Sequence, residues 1–91
     1  MKIYKTIVTT VPSVESKDKI VEDILSNKLS PCIQRIEGIK SSYIWDGEIK
    51  NDTEDLIMIK TSNCNKDSII EKIKDSHPYD NPQIICYDFD I

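Results

Sequence analysis

Apolar and polar positions alternate with two different periods along this chain, and the changes of period mark its elements. From Ile3 to Thr10 the run Ile-Tyr-Lys-Thr-Ile-Val-Thr-Thr is rich in β-branched residues and predicts a first strand. Ser13 is placed to cap a following helix, with Glu15 and Asp18 in its first turns, where the helix dipole favours negative charge. Between Glu15 and Leu29 the apolar positions Ile20, Val21, Ile24, Leu25 and Leu29 fall on one helical face. Pro31 prevents continuation, and Cys32 to Ile39 reads as a second strand interrupted at Gly38. Asp46-Gly47 lies between Ser42-Tyr43-Ile44-Trp45 and Glu48-Ile49, and a two-residue Asp-Gly loop predicts a type I′ hairpin. The returning strand runs through Leu56-Ile57-Met58-Ile59 to Thr61, an apolar run expected to be buried on both faces. A second amphipathic helix is expected from about Lys66 to Ser76, with Ser62, Asn63 or Asn65 as caps and Ile69, Ile70 and Ile73 facing inward. His77-Pro78-Tyr79-Asp80-Asn81-Pro82 ends it, and Ile84 to Phe89 forms a last strand.

The order β-α-β-β-α-β predicts an α+β, ferredoxin-like fold: a four-stranded antiparallel sheet with two helices on one face. With Asp46-Gly47 at the tip, the hairpin reaches back to about Cys32 and forward to Thr61, roughly twice the length of the other strands. Its outer half, with Tyr43 and Trp45, would overhang the sheet and need a partner, most simply a neighbouring subunit. The same register sets Glu37 opposite Leu56, a polar residue against a core one, so a bulge is expected at Gly38. The acidic stretch from Asp52 to Asp55 is expected to be solvated where the overhang rejoins the core. Ile3, Ile24, Ile57, Ile59 and Ile73 are expected in one continuous core.

Composition narrows the function. The 91 residues make one domain, 1–91, with little core to spare, so oligomerisation would help it. Twelve basic residues stand against 16 acidic ones, and no Lys/Arg stripe forms, which argues against nucleic acid as a partner. No apolar leader or membrane-spanning run occurs. Cys32, Cys64 and Cys86 are odd in number and widely spaced, as expected for reduced thiols in the cytoplasm. No closely spaced ligand pair marks a closed zinc site, and no catalytic constellation or phosphate-binding glycine loop is present, so the chain does not read as an enzyme.

Individual residues admit two readings each. His77, the lone histidine, suits a metal ligand or a helix cap. Cys32 suits a soft copper ligand or a small buried strand residue. Lys60 suits an anion contact or a snorkelling stem, and Tyr43 and Trp45 suit interface anchors before a ligand-stacking role.

Four segments then resemble a known family in order and spacing. They are Thr9-Thr10-Val11-Pro12, Pro31-Cys32-Ile33, Ser42-Tyr43-Ile44-Trp45-Asp46-Gly47 with Ile59-Lys60-Thr61, and His77-Pro78-Tyr79. Together they are similar to the CutA-type divalent-ion-tolerance proteins over nearly the whole chain. The resemblance implies a homotrimer whose long hairpins pair between subunits, an architecture shared with the PII signalling proteins. It implies a link to copper or other divalent metal ions, with Cys32, His77 and Asp80 as metal-site candidates. Tyr43, Trp45, Lys60 and Tyr79 carry over as further site residues. Asp80 stands where the family commonly has Glu, and Gln34 where it has Asn. Family members usually continue into a further short segment and a C-terminal helix, which would add subunit contacts and a cover over the site. The function expected is a metal-ion tolerance protein, the alternative a PII-like module responding to a small molecule.

Overall fold

The computed structural model describes residues 4–12 and 14–89. Its elements follow the expected order: β1 (Tyr4–Val11), α1 (Val14–Ser26), β2 (Cys32–Trp45), β3 (Glu48–Ser62), α2 (Lys66–Ser76) and β4 (Ile84–Phe89), with a single 3-10 turn at Asn63–Asn65 before α2. The strands form one antiparallel sheet in the order β2-β3-β1-β4. Ser13 and Ile3, expected as a helix cap and a core residue, lie outside the described residues.

Directly paired residues share a face of a sheet, so burial sorts its two sides. Ile7, Thr9 and Val11 of β1, with Ile57, Ile59 and Thr61 of β3, are buried under the helices. Ile20, Val21 and Ile24 of α1 and Ile69 and Ile73 of α2 complete that core. The opposite face is open. Its rows Cys32–Lys60–Thr6–Tyr87 and Gln34–Met58–Val8–Ile85 cross all four strands. Leu56 and Met58 are therefore half-buried, and the expectation of burial on both faces of β3 holds only for the side that the helices cover. Among the described residues no further element forms a second layer over the apolar positions of that face.

The hairpin matches its sequence signal. Asp46 and Gly47 both take positive φ, 52° and 75°, as a type I′ turn requires, and Trp45 pairs with Glu48. The register shifts between Ile36, paired with Leu56, and Ile39, paired with Glu54. Gly38, at φ 71°, is the bulge. β2 and β3 have 14 and 15 residues against 8 and 6 for β1 and β4, so the outer hairpin stands clear of the sheet. The molecule accordingly measures 46 × 25 × 21 Å.

The hairpin is pinned where it leaves the core. The Gly38 amide donates to Asp55 Oδ1 at 3.1 Å, and Lys17 Nζ of α1 lies 3.2 Å from Asp55 Oδ2 and 3.0 Å from Glu37 Oε1. Lys17 is buried, at 2 % exposure. The hydrogen bond from Gly38, then that from Lys17, holds the Asp55 carboxyl below its ordinary range. Hydrogen bonds to Glu37 and Asp55 push the Lys17 ammonium above its own. Asp55 is thus not the solvated residue expected; the bulge turns an amide toward it and α1 brings a cation.

Three other local expectations change. α1 ends at Ser26, not Leu29. Lys28 adopts φ 55°, and the Lys28 and Leu29 amides return to the Leu25 and Ile24 carbonyls, a Schellman ending ahead of Pro31. Leu29 therefore packs against the core from the loop, and Leu25 stays 43 % exposed. The start of α2 has no side-chain cap: Asn65 donates to the Leu29 carbonyl, tying loop to loop.

Two stability measurements follow. The Thr9 hydroxyl is buried without a hydrogen-bond partner among the described residues. Thr9→Val should therefore stabilise the fold by about 1 kcal/mol, read as a higher denaturant midpoint. Asp55 binds its proton less tightly folded than unfolded, so its contribution is complete above the unfolded value of about 3.9 and is lost as pH falls toward the lower folded value. Lys17 has the opposite sign, its contribution being lost only as pH rises through its raised folded value. Asp55→Asn should lower the melting temperature at neutral pH by several degrees and flatten the acid limb of a stability-against-pH curve. An unchanged acid limb would show that Asp55 is not the group titrating there.

Candidate functional site

α2 ends at His77 because its residue leaves the helical region, at φ −76° and ψ 136°, while its amide still closes the last turn onto the Ile73 carbonyl at 2.8 Å. Pro78 forbids continuation. The His77 side chain is buried, and it bridges to β1 rather than to its own last-turn carbonyls. Nε2 lies 2.7 Å from the Thr10 carbonyl, which only accepts, so Nε2 carries the proton. Nδ1 accepts from the Tyr79 amide at 3.1 Å. Both ring nitrogens are engaged, and the neutral imidazole fastens the connector after α2 to the end of β1. The Tyr79 ring tilts 43° against the imidazole, centroids 4.9 Å apart.

Tyr79 carries the chain on to the base of the hairpin. Its hydroxyl donates to Glu54 Oε2 at 3.2 Å, and Glu54 is only 8 % exposed. Two residues along β3, Asp52 accepts from the Tyr43 hydroxyl. Asp52 and Glu54 project from the same strand face, so two phenols and two carboxylates gather there. The phenols respond accordingly. Tyr43 is pushed up by the Asp52 carboxylate it binds, with partial burial adding. Tyr79 is pushed up by burial, then by the negative charge of Glu54. This cluster favours positive charge and holds its tyrosines as hydrogen-bond donors.

The expected site residues thus divide into three places. His77, Tyr79 and Tyr43 come together around Glu54 and Asp52. Cys32 and Lys60 are cross-strand partners at the level of Thr6, whereas His77 bonds at the level of Thr10. Strand rise alone separates those levels by about 13 Å, so Cys32 and His77 of one chain do not meet. Asp80 is exposed beside His77, and Trp45 is 68 % exposed at the hairpin tip. Cys32 is exposed rather than buried, because the open face of the sheet begins there; Cys64 and Cys86 are also exposed free thiols. Among the described residues no three His, Cys, Asp or Glu side chains are grouped to hold a metal.

Glu54 was not legible as a site residue. Its acidic surroundings suggest solvent, and only the fold brings Tyr79 over it. The one available signal was register: the Asp46-Gly47 turn already places Asp52 and Glu54 on the same hairpin face as Tyr43. Lys17 gave no signal, since a lysine early in a helix is ordinarily solvated.

Comparison with known proteins bears directly on this arrangement. Residues 5–90 match the family model described as CutA1 divalent ion tolerance protein. Protein CutA 1, chloroplastic, of Oryza sativa is 38 % identical over 77 residues, which are 85 % of this chain and 44 % of that protein. The divalent-cation tolerance protein CutA of Pyrococcus horikoshii is 38 % identical over 82 residues, 90 % of this chain and 79 % of that protein. The chain therefore spans less than half the length of the plant relative and most of the archaeal one. The crystal structure of CutA1 from Ehrlichia chaffeensis superposes with a TM-score of 0.91 at 40 % identity, covering 97 % of this chain and 82 % of that one. Among the described residues no helix is long and apolar enough to cross a membrane. With the sheet order, the overhanging hairpin and the His77–Tyr79 connector all in place, this chain belongs to the CutA1 divalent ion tolerance family.

Proposed function

We propose that this protein is a cytoplasmic homotrimer that takes part in the response to divalent metal ions by binding them, with copper preferred and without catalysing a reaction. The observation that carries the trimer is the uncovered apolar surface. Tyr43, Ile44, Trp45 and Ile49 are exposed on the overhang, and Ile36 is exposed on the open face beside half-buried Leu56 and Met58. A closed ring of copies covers both at once: each open face meets its neighbours, and each hairpin lies along another chain. The three free thiols support a reducing compartment.

A metal site on these residues takes ligands from more than one chain. Cys32 of one copy and His77 of the next are the two soft donors, with Asp80 as a third ligand. Thiolate and imidazole favour copper over magnesium or calcium, which prefer oxygen. His77 must release the Tyr79 amide or the Thr10 carbonyl to free a nitrogen, so affinity is moderate at best. The apolar core does not involve these groups, and the fold is expected to persist when a chelator removes metal.

Sedimentation at micromolar concentration should give a trimer mass, and Trp45→Ala should weaken the assembly by about 2 kcal/mol or more while leaving far-ultraviolet dichroism unchanged. A monomer at that concentration overturns the assembly; an unaltered dissociation constant removes Trp45 from the interface. Calorimetry of the reduced protein should show copper binding well above magnesium or calcium. Cys32→Ser and His77→Ala should each weaken it at least about tenfold, the smallest loss typical even of outer-shell groups. Copper affinity equal to the parent in both variants would make these residues structural.

A further inference from the structure

A cleft of about 540 Å³ opens where the end of α1 meets the start of β2 and the end of β3. That volume suits a small organic molecule. The acidic balance of the chain is reversed in it. Lys28 and Lys60 line it and no carboxylate does, although the chain has 16 acidic residues against 12 basic ones. Neither lysine forms an ion pair among the described residues, whereas Lys5, Lys17, Lys50 and Lys66 all do. Leu25, Leu29, Pro31 and Tyr4 also line the cleft and give it apolar surface beside the two lysines. Leu25 is exposed there although its helix turns an apolar face to the core.

The cleft is held in shape by its own backbone. The buried Ser30 hydroxyl donates to the Lys60 carbonyl and accepts from the Cys32 amide at 3.2 Å. Thr61 Oγ1 donates to the Leu29 carbonyl at 2.7 Å, so loop, β2 and β3 are tied together around the opening. Lys28 stands at the left-handed position of the Schellman ending, where glycine is the unstrained choice. An open cleft with apolar lining and two lysines among its lining residues suits a particular chemistry.

We propose that this cleft binds a small organic anion, a carboxylate or phosphate ester on an apolar body, with Lys28 and Lys60 holding the anionic group. The site is separate from the cluster of His77, Tyr79 and Glu54 and does not depend on metal binding. Cys32 also belongs to the metal site proposed above, and Lys60 is among the residues that the family resemblance carries over, so the test keeps Cys32 intact and is run on the whole chain in its native assembly with a chelator present.

The probes are octanoate, phenyl phosphate, inorganic phosphate, and the neutral octanol and phenyl glucoside, titrated against amide shifts in nitrogen-15 spectra. At least one organic anion should shift Lys28, Ser30, Cys32 and Lys60, and whichever binds identifies the head group. The matched neutral probe and inorganic phosphate should bind more weakly, and added salt should weaken the anion. Lys28→Gln and Lys60→Gln, which keep much of the stem, should each lower affinity about three- to fivefold, the size expected of a partly solvated charge contact. No shift in the cleft with either organic anion overturns the proposal, as does equal affinity for the neutral probe or unchanged affinity in both variants. Inorganic phosphate binding as well as phenyl phosphate removes the apolar body from it. Should Lys60→Gln not fold, Lys28→Gln decides alone, because Lys28 lies on an exposed loop.

Discussion

The contact on which the rest of the structure depends is the buried ion pair between Lys17 and Asp55, with the Gly38 amide as its third member. One hairpin must serve two environments, pairing with β1 in its inner half and standing free in its outer half. The change happens at the bulge, where an extra residue shifts the register and frees an amide. Asp55 takes that amide and also the Lys17 ammonium, so the angle of the overhang is referred directly to α1. A cation in the first turns of a helix is opposed by the helix dipole. Glu37 and Asp55 offset that opposition here, which is why the lysine turns inward and not toward solvent.

Because the bulge holds that angle, Glu54 and Asp52 stand where the connector after α2 can reach them. His77 fastens the connector to β1 through Thr10, and Tyr79 then spans to Glu54. The result is an acidic, phenol-rich cluster at the hairpin base, whereas the other end of the sheet has a cleft lined by Lys28 and Lys60, which form no ion pair among the described residues. A chain of modest net charge thus presents two regions of opposite character. Charge type, and not total charge, decides what each region can hold.

The uncovered sheet face follows from the placement of the described helices. Two helices cover one side of a four-stranded sheet, and no described element remains for the other. Val8, Leu56, Met58 and Ile85 consequently sit half-buried, intermediate between the core isoleucines and the exposed hairpin tip. The uncovered surface is the observation on which the proposed assembly rests.

Local rules settled much of this in advance. The Asp-Gly turn determined hairpin register because only a left-handed pair of residues reverses the strands tightly, and that register required the bulge at Gly38. Of the residues assigned in advance to one core, Ile24, Ile57, Ile59 and Ile73 are fully buried, since each is the inward position of its element. The sequence also marked His77, Tyr43 and Tyr79 as unusual. It could not distinguish Asp55 from its acidic neighbours, bury Lys17, or separate Cys32 from His77. Those outcomes depend on which strand lies beside which, and on the direction in which a bulge turns an amide. They are long-range facts of packing, and residue type and spacing carry no record of them.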